Sequence, residues 1–288
     1  MTIFQAAVYG VVQGLTEFLP ISSSAHLRIV PELFGWPDAG SAFTAVIQLG
    51  TIAAVILYFR RDLAAALRGW TRSLATRDFA PLEARIGWGV FIGTIPIVLL
   101  GLLFKHQIEG PLRSLWVIAF TLIGMGGAML LAERYGNKAR TENSVTIKDG
   151  LVIGVWQALA LIPGMSRSGS TISGALFANF DRPTAARFSF LLSVPSITAA
   201  GLYEAYKERH GFAGGGLITT LFATLISFAV GYAAISWLIP FIARKGIRPF
   251  VMYRVAIGVV LIALLSLGRI APSRAPEVVP SYGVSQAP

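Results

Sequence analysis

Polar motifs set inside long apolar sequence leave a chain few ways to fold, and this chain carries one such motif twice. GVVQGLTEFLPISSSAH, from Gly10 to His26, returns 144 positions later as GVWQALALIPGMSRSGS, from Gly154 to Ser170. That shift sets Gly10, Val11, Gln13, Leu15, Ser22 and Ser24 on Gly154, Val155, Gln157, Leu159, Ser166 and Ser168 without a gap. Each copy is a group of hydroxyls behind a proline. Hydrocarbon cannot hydrogen-bond such groups, so they must face one another, a cavity or a ligand. The expectation is a site assembled from two halves.

The surroundings of the motifs define the class. Hydrophobic residues make up 55% of the chain and charged residues 13%, against about 25% charged in an average soluble domain. An all-α polytopic membrane protein is expected. Six segments, 42–59, 86–104, 114–132, 186–203, 217–242 and 250–267, approach or exceed the roughly 17–25 apolar residues that cross a bilayer. Residues 3–19, 23–34, 147–162 and 168–180 are apolar too, but short, with serines opening 23–34 and 168–180, and the pairs are interrupted by Pro20 and Pro163. Such broken pairs suit two re-entrant helix hairpins better than spans.

A net charge of +10 raises the question of nucleic acid, but the basic residues fall in loops, and no nucleic-acid partner is expected. They orient the chain instead. If 60–85, with Arg60, Arg61, Arg68, Arg72, Arg77 and Arg85, is a cytoplasmic loop, six spans put Arg134, Lys138, Arg140, Lys148, Arg244, Lys245, Arg248 and Arg254 on that side. Fewer cations, among them Arg28, Lys105 and Arg113, lie opposite. The positive-inside rule then places both termini outside. Cysteine is absent, which excludes disulfides and thiolate chemistry. His106 and His210 are assigned to solvated loops, and the Pro- and Ser-rich tail 271–288 to disorder.

The repeat runs past the motif. At an offset of 145, Phe43, Ile52, Ala54 and Tyr58 fall on Phe188, Ile197, Ala199 and Tyr203. One membrane domain, 1–268, therefore divides into repeats of about 1–140 and 145–268. Three spans per repeat is an odd number, so the second copy enters the membrane inverted. Inverted repeats with broken helices place binding sites where the copies meet.

Within the motifs, Glu17 has no other charge from Met1 to Ala25. A lone carboxylate there needs a cation or a proton. Gln13, four residues earlier on the same helical face, joins Glu17 as an oxygen ligand for a divalent cation, Mg or Ca. Arg167 is the complementary charge: its guanidinium fork suits phosphate, and the helix opening after Pro163-Gly164 offers free N–H groups to an anion. Ser166, Ser168 and Thr171 add hydroxyls there, as Ser22 and Ser24 do in the first copy, and Gly164 allows close backbone approach. These six are the expected substrate-binding residues. His26 lies near Ser23 if a helix starts at Ser22. Attack by His26, attack by Ser23 activated by His26, and water activated by His26 all remain open.

QGLTE (Gln13 to Glu17) and PGMSRSGST (Pro163 to Thr171), with FLPISSSAH and RFSFLLSVP (Arg187 to Pro195), resemble the undecaprenyl-diphosphate phosphatases of the bacitracin-resistance type. The likeness covers about residues 1–268. It implies a divalent-metal-dependent enzyme of the bacterial plasma membrane that removes the terminal phosphate of undecaprenyl diphosphate. That reaction recycles the lipid carrier of cell-wall synthesis and confers bacitracin resistance. It also implies roles for Gln13, Glu17, Ser23, His26, Ser166, Arg167 and Thr171, with Glu17, Ser23, His26 and Arg167 catalytic. The first motif position is glutamine, which leaves Glu17 as the only motif carboxylate. The implied partners are a polyprenyl diphosphate and membrane lipids, and a homodimer stays open. A transporter is the rival class, because inverted repeats also build transporters, but transport needs no nucleophile.

Overall fold

A computed structural model describes residues 1–37, 39–207 and 216–272. Twelve α-helices form among them: α1 (Ile3–Phe18), α2 (Ser23–Phe34), α3 (Gly40–Tyr58), α4 (Arg60–Thr76), α5 (Leu82–Leu103), α6 (Lys105–Glu109), α7 (Leu115–Tyr135), α8 (Ile147–Ala158), α9 (Arg167–Phe177), α10 (Arg182–Lys207), α11 (Gly216–Lys245) and α12 (Arg248–Ser266). The described residues contain no strand beyond one isolated bridge between Arg140 and Phe180. Five helices, α5, α7, α10, α11 and α12, are each long and apolar enough to cross a membrane. A sixth span requires α3 and α4 together, which meet at an 80° bend. This is a multi-pass membrane protein.

The short segments of the two motifs become α1 with α2 and α8 with α9. They have 16, 12, 12 and 11 residues, each below the roughly 20 needed to cross hydrocarbon. Equivalent residues start both pairs. Thr2 closes a capping box with Gln5, and Thr146 closes one with Asp149, satisfying N–H groups that would otherwise be orphaned. Equivalent glycines then seat the helices. A Cβ on Gly10 would lie 2.6 Å from Ala223 O of α11, and one on Gly154 would lie 2.3 Å from Gly93 O of α5. The first helix of each pair thus packs on a long helix from the other half of the chain, α1 on α11 and α8 on α5.

Several charges lie elsewhere than their loop assignments. Residues 60–76, expected as loop, form α4, whose apolar Leu67 and Leu74 stay exposed while Ala66 and Ser73 are buried. Arg28 is buried in α2 and pairs with Glu32 at 3.5 Å. Arg254, counted as a loop cation, is inside α12 and 0% exposed. His106 sits exposed in the short α6; His210 and the tail beyond 272 lie outside the described residues. Arg140 clamps the α7–α8 loop: it donates to both carboxylate oxygens of Asp149 at 2.8 and 2.7 Å and to Ala178 O at 3.1 Å. The hydrogen bonds to Asp149 raise its guanidinium above the ordinary arginine value.

Candidate active site

The two motif turns share one backbone form. Ser22 has φ 77° and ψ 101°, and Ser166 has φ 68° and ψ 117°. Such angles cost a non-glycine residue about 1–3 kcal/mol and persist where surrounding contacts enforce them. Here the contacts are alike. Ser22 Oγ accepts from Ala25 N at 3.4 Å and lies 3.1 Å from Ser24 Oγ, while Ser166 Oγ accepts from Gly169 N at 3.1 Å and lies 3.2 Å from Ser168 Oγ. Each serine caps the second helix of its pair and aims that helix's N-terminus at the other turn.

The turns also touch. Ser168 Oγ donates to Leu19 O at 3.2 Å, and Gly164 N donates to Ser24 Oγ at 3.4 Å. Beneath them Arg254 donates to Pro20 O of the first turn (3.1 Å) and to Gly164 O (2.8 Å) and Met165 O (3.3 Å) of the second. It reaches Thr121 O and Leu122 O of α7 as well, at 3.4 and 3.3 Å. No ion pair is found for it among the described residues, so carbonyl dipoles alone hold a fully buried cation. Nothing in the motifs signalled this. The available signal was that Arg254 is the only charge in the apolar run 250–267.

Across this junction the motif charges meet. Glu17, 5% exposed, accepts from Arg167 Nη2 on Oε1 at 3.3 Å, and on Oε2 from Gln13 Nε2 at 3.0 Å and Ser23 Oγ at 2.7 Å. The second amino group of Arg167 donates to Ser189 O at 3.3 Å. Removing two charges from water costs several kcal/mol per ion, which only close pairing and further hydrogen bonds offset. The pairing here is incomplete on both sides: Arg167 Nε and Gln13 Oε1 are buried with no hydrogen-bond partner. One is a donor suited to an anion and the other an acceptor suited to a cation.

The remaining expected residues surround this group. Thr171, fully buried behind Arg167, donates to Arg167 O at 2.8 Å and lies 2.5 Å from Ser189 Oγ. Ser189 was not foreseen; its stretch, FSFLLSVP, has no spacing that marks it. Gly164 has φ 93°, and a Cβ there would come within 2.0 Å of Thr121 Oγ1. Ser23 and His26 are not engaged as their spacing suggests. Ser23 turns to Glu17, whereas His26 Nδ1 lies 2.7 Å from Ser22 O and its Nε2 lies 2.8 Å from Tyr253 Oη. Helix geometry put the two side chains near each other in sequence but could not fix their rotamers. A cavity of about 850 Å³ opens elsewhere, between α4 and the start of α5. Its charges Arg68, Arg72, Asp78 and Glu83 are all exposed, so it lacks the desolvated groups of the motif site.

Residues 6–260 match the family model described as Bacitracin resistance protein BacA. The chain belongs to this family. The BacA match spans both turns, and relatives align along nearly the full length. A Myxococcus xanthus protein is 48% identical over 289 residues, covering 100% of this chain and 97% of its own. A Thermobifida fusca protein is 48% identical, with 96% and 95% covered, and a Chlorobium phaeobacteroides protein is 49% identical, with 93% and 99% covered. All three are named undecaprenyl-diphosphatase.

Proposed function

We propose that this BacA-family chain is an undecaprenyl-diphosphatase, hydrolysing undecaprenyl diphosphate to undecaprenyl phosphate and inorganic phosphate. The observation that carries the reading is the buried Glu17–Arg167 pair, flanked by an orphaned donor on one side and an orphaned acceptor on the other. The names of relatives about 48% identical supply the substrate. In this reading α1–α2 and α8–α9 are re-entrant hairpins of an inverted repeat, both termini lie outside the cytoplasm, and the reaction recycles the carrier lipid and confers bacitracin resistance.

The terminal phosphate binds Arg167, whose Nε is free to donate, and the N-terminal N–H groups of α9. Those groups are held rigid by the Ser166 cap, so little reorganisation is needed as charge shifts in the transition state. Glu17 and Gln13 would hold a divalent cation: Gln13 Oε1 is an unpaired buried acceptor beside a carboxylate, and oxygen donors suit Mg or Ca. When bound, the cation neutralises phosphate charge and polarises the phosphorus centre.

The 2.7 Å bond from Ser23 Oγ to Glu17 favours Ser23 as nucleophile and Glu17 as its base. Ser23 Oγ forms a bond to the terminal phosphorus as its proton passes to Glu17. The bridging P–O bond breaks, and undecaprenyl phosphate leaves with the bridging oxygen, taking up the proton held by Glu17 and so returning Glu17 to its ionised form. Water then adds to the phosphoserine, its proton goes to Glu17, and inorganic phosphate departs as Ser23 Oγ is reprotonated. Purified protein in detergent, without a gradient, is expected to release phosphate from a polyprenyl diphosphate, and Glu17→Ala or Arg167→Ala to lose that release. No release from the wild type would instead support the transporter reading.

A further inference from the structure

His26 is held at both ring nitrogens. A carbonyl oxygen can only accept, so the 2.7 Å contact with Ser22 O places a hydrogen on Nδ1. In the neutral ring Nε2 then carries the lone pair, and the Tyr253 hydroxyl, 2.8 Å away, donates to it. The rings lie nearly parallel, 8° apart in plane with centroids 5.6 Å apart. Both partners come from rigid parts of the site. Ser22 is the strained cap of α2, and Tyr253 immediately precedes Arg254, whose guanidinium grips both turns. Yet Tyr253 itself is 41% exposed. Its hydroxyl therefore stands at the margin of the site, where an incoming diphosphate can replace the imidazole as acceptor.

We propose that Tyr253 is a positioning residue for the reaction: it holds His26 as the Nδ1–H tautomer with Nε2 covered, then passes its hydroxyl to a phosphate oxygen as the headgroup arrives. The proposal rests on the phosphatase reading. It accounts for a histidine whose reactive nitrogen faces a phenol from a distant helix rather than the neighbouring Ser23. The hand-over keeps Nε2 paired until substrate is present, since an unpaired polar atom among apolar helices is costly. It also makes uncovering of Nε2 dependent on a phosphate group. Once uncovered, Nε2, which carries a lone pair and no hydrogen, is free to accept a hydrogen bond from the water that attacks the phosphorylated intermediate and so to orient that water while its proton goes to Glu17.

The test uses the full-length protein in detergent, labelled with ¹⁵N-histidine in a His106→Asn, His210→Asn background so that only His26 reports. Tyr253→Phe removes the hydroxyl and keeps the ring. The expected result is that the Nε2 resonance moves toward that of an imidazole nitrogen with no donor while Nδ1 stays protonated. With polyprenyl diphosphate as substrate, kcat is expected to fall about tenfold to a hundredfold, KM to change by less than threefold, and the melting temperature to hold. An unchanged Nε2 resonance overturns the proposal, and so does a kcat loss matched by lost thermal stability. The nitrogen resonance reads the Tyr253–His26 bond even if the wild type releases no phosphate, so failure of the phosphatase reading is seen separately.

Discussion

Arg254→Met removes the cation that joins the two motif turns while keeping an unbranched side chain of similar length. The two shortest of its bonds, 2.8 Å to Gly164 O and 3.1 Å to Pro20 O, go one to each turn. Hydrogen bonds to a charged group are worth about 1.5–3 kcal/mol each, so losing these two removes about 3–6 kcal/mol. Removing a buried charge also relieves a desolvation penalty of several kcal/mol. The two effects oppose, and the net loss of stability is expected to be about 0–3 kcal/mol. The catalytic loss has no such compensation. Without Arg254 the two motifs are linked by the serine contacts and the Glu17–Arg167 pair, all at 3.2–3.4 Å, and a drift of about 1 Å between reacting groups costs about 100-fold in rate. Phosphate release and thermal unfolding, measured on the same purified protein, should therefore diverge: kcat/KM down about 100-fold with only a modest fall in melting temperature. Arg254→Lys should be intermediate, because one ammonium cannot reach both turns as a fork does. Full activity in Arg254→Met would refute the reasoning and show that the turns hold themselves.

Three further outcomes are expected. Gly164→Ala should be destabilised by about 1–3 kcal/mol and lose activity, because its φ of 93° and the 2.0 Å approach to Thr121 Oγ1 exclude a Cβ; a thermal melt and a phosphate assay check this. Rapid quenching with substrate labelled in the terminal phosphate should trap label on Ser23 and none in Ser23→Ala, whereas label on His26 would reassign the nucleophile. Gln13→Glu adds a second carboxylate beside Glu17, so the Mg or Ca concentration that restores half of the activity after chelation should fall several-fold; an unchanged requirement would remove Gln13 from the cation site.

The sequence made the short helices readable because hydroxyls and prolines in apolar surroundings break the helical pattern at definite places. Residues 3–19, 23–34, 147–162 and 168–180 differ from α1, α2, α8 and α9 by only a few residues at each end. Glu17 and Arg167 stood out because buried charge is rare in a bilayer, Gln13 because it lies one turn before Glu17, and Ser23 because of its spacing to His26; the folded chain brings Gln13, Ser23 and Arg167 onto Glu17. Arg254 was hidden by its position. It lies six residues from Arg248, at the edge of an apolar run, and a charge near a helix end reads as a loop or snorkelling cation. Tyr253 and Ser189 were illegible for another reason: their roles depend on which helices pack together, and no local spacing encodes that. The bend between α3 and α4 likewise lacks a proline or glycine to announce it, since Phe59 alone separates the two helices.

The central claim is that Glu17 and Arg167, 150 positions apart, act as one site. A double-mutant cycle on kcat/KM for phosphate release, using Glu17→Gln, Arg167→Gln and both together, tests it most directly. Residues that work as a unit give strongly non-additive losses. The double variant should therefore be no more than about tenfold worse than either single variant, although each single change costs about a thousandfold. Losses that multiply in full would contradict the account and place the two residues in separate sites.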